Sequence, residues 1–282
     1  MMKLENEWLL LEFNEKGAEI RRVYNKKTEK ELMWSGDPYF WGRVSPVLFP
    51  IVGKVYEGTY YVDGKPYHLS QHGFLRDQIF EVVRHTEHEF VFEYHSDDAM
   101  LDVYPFKHKV QIAYKLDGNR ITVTWHIFNK DTKKMYYSIG AHPAFLLDKE
   151  GDYEFVFTHN GNVHQYGLKE GFIDGKQSVD LKTIAVTEEN FKDTTLIYDH
   201  TSAVKLMNKK TNESVCVEYD GFDYLALWMP HKNGEMAPFV CIEPWIGIAD
   251  EFGGYDDIRK KLSVKSLNEG DDIMHQYTVT FE

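Results

Sequence analysis

Cysteine is nearly absent from this sequence: Cys216 and Cys241 are the only two in 282 residues. Two thiols build neither a disulfide framework nor a cysteine-based zinc site. Cys241 lies inside the apolar run PFVCIEPWIG and reads as a buried free thiol. Long apolar runs are missing as well. None reaches the ~20 residues that a membrane-spanning helix needs. The N-terminal MMKLENEWLLLEFNEKG lacks the uninterrupted apolar core of a secretory signal. The glycosylation sequon Asn212-Glu213-Ser214 is therefore read as coincidence, and a reducing cytoplasm is the expected location.

Basic charge is in short supply. Against 45 Asp and Glu stand 32 Lys and Arg, a formal net charge of −13. Such a chain repels phosphate backbones and anionic lipid, so neither nucleic acid nor membrane is an expected partner. An anionic substrate would need a local basic pocket. The P-loop, the G-x-G-x-x-G dinucleotide fingerprint and the G-x-S-x-G nucleophile elbow are all missing. Linkers, low-complexity tracts and internal repeats are missing too, so residues 1–282 read as a single domain. Helix signals are sparse. DDIRKKL, residues 256 to 262, reads as one short helix, and SDDAMLDVYP as a turn stopped by Pro105.

What the chain does have is aromatic residues and alternation. Aromatics make up 15%, with 18 Phe, 18 Tyr and 6 Trp. They favour pleated strands, and their flat faces also suit the C–H groups of a sugar. Asp63-Gly64 divides TYYVDGKPYHL into two strand-like arms, a hairpin signal. Asp117-Gly118 does the same in VQIAYKLDGNRITVTWHIFN, where Ile121, Val123 and Trp125 alternate with Thr122, Thr124 and His126. A third hairpin turns at Lys209 to Asn212. The expected fold is all-β: one large antiparallel β-sandwich with few short helices and a broad sheet face for a ligand.

Four polar positions break the pattern. In SPVLFPIVGKVYEG, Pro46 and Pro50 keep the run out of the centre of a sheet. Lys54 follows it, read either as a solvated lysine or as a group that binds a hydroxyl or phosphate. In QHGFLRD, His72 precedes Gly73, which permits an unusual backbone, and Arg76 follows. In YSIGAHPAFLL, His142 sits in a Gly-Ala-His-Pro turn between apolar neighbours. Each histidine taken alone is equally readable as structural. Glu243 is the sharpest exception, a carboxylate inside an apolar strand. Alternation puts it on one face with Cys241 and Trp245, a placement suited to a general base. Two histidines and a carboxylate also form a zinc ligand set. The H-x-x-x-H spacing is absent, so zinc is disfavoured and no metal is expected.

Taken in order, SPVLFPIVGK, QHGFLRD, GAHPAF and CIEPW resemble the aldose 1-epimerase (galactose mutarotase-like) family, with most similarity to its LacX-type branch. The resemblance spans nearly the whole chain. It implies a galactose mutarotase-like supersandwich with a sugar on a concave sheet. It also implies that Glu243 is the catalytic base, His142 the catalytic acid, and His72 a hydrogen-bonding partner near the reacting end. Asp193, in NFKDTTL, aligns with an aspartate that holds sugar hydroxyls. Arg76, Lys54 and Trp228 are the other expected substrate contacts. Three departures bear on the substrate. Lys54 stands where the family usually has arginine, AHPAF around His142 differs from the NHTYFNL pattern of mutarotases proper, and HGFLR is closer to the hexose-phosphate epimerase branch.

The implied reaction is anomer exchange of an aldohexose by ring opening and closure. It is an isomerisation that changes no redox state, so no cofactor is expected. Two alternatives stay open. One is a hexose-6-phosphate 1-epimerase, for which Arg76, Lys54 and Arg43 are the candidate phosphate contacts. The other is a carbohydrate-binding protein without turnover. The expected partner is a small-molecule sugar or its phosphate, and the expected assembly a monomer or weak homodimer.

Overall fold

Alternating apolar and polar residues build this molecule almost entirely from antiparallel strands. The computed structural model describes residues 2–159, 161–192, 194–255 and 257–282. Among them, the two largest sheets have nine and eight strands, and a four-stranded sheet is formed by the N-terminus. The three hairpins lie where the turn residues put them: Thr59–Val62 with Lys65–His68, His108–Asp117 with Arg120–Asn129, and Thr201–Asn208 with Ser214–Glu218. In Arg120–Asn129 the alternation is strict, with Ile121, Val123, Trp125 and Ile127 buried. Each such side chain contributes about 1.5–3 kcal/mol of apolar burial.

The eight-stranded sheet carries the chemistry. Its central strand, Phe239–Ile246, is flanked by Tyr224–Trp228 on one edge. On the other edge lie two short segments, Ile139–Ala141 and Ala144–Leu146. The sheet ends at Val47–Leu48, bracketed by Pro46 and Pro50, which is the edge position that proline permits. Its two faces belong to different clusters. Leu225, Leu227, Val240 and Ile242 join the main core with the nine-stranded sheet. Tyr224, Ala226 and Trp245 join a smaller cluster with Ile197, Ile248 and Ala249 on the opposite face.

Helix is scarce, but its position differs in one place from the sequence expectation. Of DDIRKKL, whose first residue Asp256 lies outside the described residues, the rest forms only a 3-10 turn at Ile258–Lys260, capped by the Asp257 carboxylate, which accepts from the Arg259 N–H at 2.9 Å. The α-helical turn lies at Glu188–Phe191, with the Thr187 side chain accepting from the Asn190 N–H. No helix among the described residues is long and apolar enough to cross a membrane.

Candidate active site

Glu243 owes its position to strand register. Gly140 pairs with Trp245 and Ala144 with Cys241. The same register runs through the intervening turn, where the Ile242 N–H donates to the Pro143 carbonyl at 3.2 Å. His142 therefore falls opposite Glu243, and 3.1 Å separates Nε2 from Oε2. Directly opposed residues on antiparallel segments are the closest side-chain neighbours a sheet provides. On the other edge the partner of Glu243 is Ala226, which leaves no bulk beside the carboxylate.

His72 arrives from a loop. The segment docks on residues 49–53 through the His72 N–H to the Gly53 carbonyl at 2.7 Å and the Phe49 N–H to the His72 carbonyl at 3.2 Å. His72 and Gly73 both have left-handed backbone, φ 67° and 68°. At Gly73 a Cβ would lie 2.2 Å from the Phe49 carbonyl oxygen, so only glycine fits. The Gly53 N–H donates to His72 Nδ1 at 3.1 Å. That leaves the proton of the neutral ring on Nε2, which faces the Gln71 side-chain amide at 3.2 Å. The amide orientation that satisfies this donor has its oxygen toward the ring.

The three groups converge. The His72 and His142 rings meet edge to face at 5.6 Å between centroids. Trp41 stacks on His142 at 4.6 Å and 27°, and Trp228 meets it edge-on at 5.5 Å. With Gln71, Arg76, Thr195, Ile197 and Trp245 they line a cleft of about 340 Å³. That is near the lower end of small-molecule sites, ~300–1,000 Å³, and suits a single sugar ring.

Burial governs the electrostatics. Glu243 is 1% exposed and His142 7%. Desolvation pushes the Glu243 carboxyl well above its ordinary range, opposed by the Trp245 indole N–H. Desolvation, then the neighbouring His72 and Arg76, holds His142 well below its ordinary value. Both shifts disfavour separated charge, so the natural inventory of the pair is a single shared proton. The 3.1 Å contact is not aligned as a hydrogen bond, leaving Glu243 Oε2 and the Trp245 indole N–H without a full partner. Buried polar atoms are normally satisfied; these two are aimed where a ligand would sit. His72 is driven down to about 3 by burial and by Arg76 and Arg43, so it is a neutral donor near pH 7. Arg76 is lowered to about 10, mainly by burial. Its Nη2 donates to the Gln71 carbonyl at 2.6 Å, while its Nε makes no hydrogen bond and stands 3.9 Å from the Asp77 carboxylate.

Of the residues singled out from sequence, Glu243, His142, His72, Arg76 and Trp228 line this one cleft. Lys54 does not: its ammonium donates to the Glu170 carbonyl at 3.3 Å, beside Gly171 at the rim. Arg43 is paired with Asp77 at 3.0 Å. Asp193 lies outside the described residues. Trp41, Gln71, Thr195, Ile197 and Leu168 were not anticipated. The one usable signal was Trp41 itself, an aromatic in the Gly-flanked segment YFWGR.

Over residues 1–250 the sequence matches the family described as aldose 1-epimerase. The chromosomal Protein LacX of Lactococcus lactis subsp. lactis is 26% identical over 301 aligned positions, covering 99% of this chain and 98% of its own. Among solved structures, a galactose mutarotase related enzyme from Lactobacillus acidophilus is 31% identical with a TM-score of 0.95, covering 100% of this chain and 97% of its own. A galactose mutarotase-like protein from Lactobacillus casei ATCC 334 is 27% identical with a TM-score of 0.94, and each chain covers 100% of the other.

Proposed function

The chain belongs to the aldose 1-epimerase family and has the galactose mutarotase-like β-sandwich fold; on that premise we propose that it interconverts the α and β anomers of an aldohexose. The observation that carries the reading is the His142–Glu243 pair, two buried acid–base groups 3.1 Å apart at the floor of a ring-sized cleft.

Ring opening removes the proton of the C1 hydroxyl and delivers one to the ring oxygen. In the ionised form of the pair, Glu243 takes the first proton and His142 gives up the second. The C1–O5 bond breaks and C1 becomes an aldehyde. Rotation about C1–C2 presents its other face, and the same two groups run the transfer backwards. The pair begins and ends with one proton, so no net charge enters the site. The Trp41 face against the imidazole favours its protonated form, and the Trp245 indole N–H favours the carboxylate. Both oppose the desolvation that neutralises the pair. His72, held neutral with its proton on Nε2, serves as a hydrogen-bond donor that exchanges the Gln71 amide oxygen for the oxygen on C1 when sugar binds. The chemistry uses only protons that the substrate and these residues supply.

A neutral sugar is favoured over its phosphate because a phosphate clamp needs convergent cations. Arg76 alone of the three candidates lines the cleft, with Lys54 held at the rim and Arg43 on Asp77. The deciding experiment is anomer-exchange NMR over a panel containing galactose, glucose and glucose 6-phosphate. Acceleration above the buffer rate for a free aldose is expected. Tight binding without acceleration of any member would instead indicate a sugar-binding protein.

A further inference from the structure

Cys241 takes no part in the proposed reaction, yet it shares a face of its strand with Glu243. The ligand atoms of His142, Cys241 and Glu243 all lie within 4.8 Å of one another, and all three residues are buried. We propose that His142, Cys241 and Glu243 form a binding site for zinc or cadmium whose occupation blocks the cleft. The inhibitory part of this proposal rests on the function proposed above; the binding part rests on the ligand geometry alone.

Three features carry it. The donor set is one nitrogen, one sulfur and one oxygen, the mixture that tetrahedral zinc accepts. With ligand bonds of about 2.0–2.3 Å, neighbouring ligand atoms of a tetrahedral ion stand roughly 3.3–3.8 Å apart. The observed 3.1 Å between His142 Nε2 and Glu243 Oε2 is a few tenths of an ångström short of that edge, a gap that a small side-chain movement opens. Glu243 Oε2 is also a buried oxygen with no hydrogen-bond partner, already directed at the site. His142 and Glu243 line the cleft, from which water would supply a fourth ligand.

Besides the three ligands, the charged or titratable groups that bear on His142 are His72, Arg76 and Arg43. A divalent ion entering the site takes a thiolate, a carboxylate and a neutral imidazole as ligands, and the protons it displaces leave to solvent.

The bound ion would occupy both acid–base atoms of the proposed reaction, which makes it an inhibitor. One other cluster of this kind occurs among the described residues, His164, Asp199 and His200. It is a poorer site. Asp199 already accepts from the His164 backbone N–H at 2.7 Å and the Tyr166 hydroxyl at 3.0 Å, and the Lys176 ammonium stands 4.0 Å away. It also has no sulfur.

That difference supplies the test. Cadmium titrated into the full chain is expected to raise a thiolate-to-metal charge-transfer band that saturates at one equivalent. Calorimetry with zinc in buffers of different ionisation enthalpy should show net proton release on binding. Cys241→Ser and Cys241→Ala should each abolish the band. They should also weaken zinc binding by at least roughly tenfold, the lower end of what even an outer-shell partner contributes. Both variants should keep their anomerisation rate and lose its inhibition by zinc. Absence of the cadmium band in the wild-type protein would overturn the site. So would zinc affinity unchanged in both Cys241 variants, or binding removed by His200→Ala. If the band appears but no sugar is turned over, the metal site stands and the function proposed above fails.

Discussion

His142 and Glu243 face each other across two antiparallel segments that hold one register on both sides of the pair, with 3.1 Å between Nε2 and Oε2. Register alone brings them together, and Trp41 and Trp228 then fix the imidazole from its face and its edge. Trp41 lies outside the strands, and Trp228 pairs with Cys241 on the opposite edge of the Glu243 strand from His142, so the His142–Glu243 pairing and its aromatic walls are separable by side-chain mutation.

Glu243→Gln and His142→Asn are each expected to lower the anomerisation rate by roughly 10²–10⁴-fold. The glutamine variant should do so without loss of stability near neutral pH. The native pKa of Glu243 is raised above 4.5. The carboxyl therefore favours the folded state below pH 4.5, and that advantage is lost as pH rises through the native pKa. Glutamine does not titrate. Thermal melts of both proteins from mildly acid to mildly alkaline pH should show the wild type losing ground to the variant as pH rises. Anomer-exchange rates in Glu243→Gln equal to wild type would remove the carboxylate from the mechanism.

Acid stability should be governed by buried histidines. His72 titrates at about 3, and His108 and His275 at about 4, each against 6.5. Desolvation is the main cause in all three. Lowered native values mean that the unfolded chain takes up protons first as pH falls. The stabilisation is complete above pH 6.5 and is lost as pH drops toward 4 and then 3. His108→Leu tests this outside the cleft. Its Nδ1–H donates to the Phe106 carbonyl at 2.8 Å, so the variant should be less stable at neutral pH while its acid decline is shallower. A decline of unchanged slope in the variant would count against His108 as a contributor.

Arg76 and Lys54 should separate on kinetics. Arg76→Ala removes a cleft-lining cation whose Nε makes no hydrogen bond and should raise KM about tenfold, the worth of one good hydrogen bond. Lys54→Ala, at the rim on the Glu170 carbonyl, should change KM by no more than about twofold. Equal effects from both, together with preference for glucose 6-phosphate, would favour the phosphate-specific alternative.

Gly73 and Gly64 both have positive φ, 68° and 77°. Alanine at Gly64 meets nothing within 4 Å, and its cost should be the backbone penalty alone, about 1–2 kcal/mol. Alanine at Gly73 would also place Cβ 2.2 Å from the Phe49 carbonyl oxygen. Denaturant unfolding should therefore show a clearly larger loss for Gly73→Ala, accompanied by weaker sugar binding as the His72 loop shifts. Equal losses in the two variants would mean that the loop absorbs the clash.

Local chemistry was legible in the sequence, and long-range convergence was not. Asp63-Gly64 and Asp117-Gly118 announce their hairpins because positive φ is required within a few residues of the strands they join. Glu243, His142 and His72 stand out because a charge or a constrained imidazole interrupts an apolar run. Trp41, Gln71, Thr195 and Ile197 carry no such mark: each is ordinary in its own segment and meets the cleft only through the sheet. The rim position of Lys54 was equally hidden, because it depends on the Glu170 carbonyl of a hairpin far along the chain. The helical turn at Glu188–Phe191 was missed because four residues give no periodicity, although the Thr187 cap was there to read.

The register that joins His142 to Glu243 also gives the molecule an order of assembly. Hairpins such as His108–Asp117 with Arg120–Asn129 close locally, on the scale of ~1–10 μs for a hairpin. The pairing of Phe239–Ile246 with Ile139–Ala141 and Ala144–Leu146 encloses a long loop and must wait for chain search. Nothing acid–base exists at the site before that closure. Recovery of the proposed turnover during refolding is thus a clock for that long-range pairing, and it should lag behind the spectroscopic signals that report the hairpins.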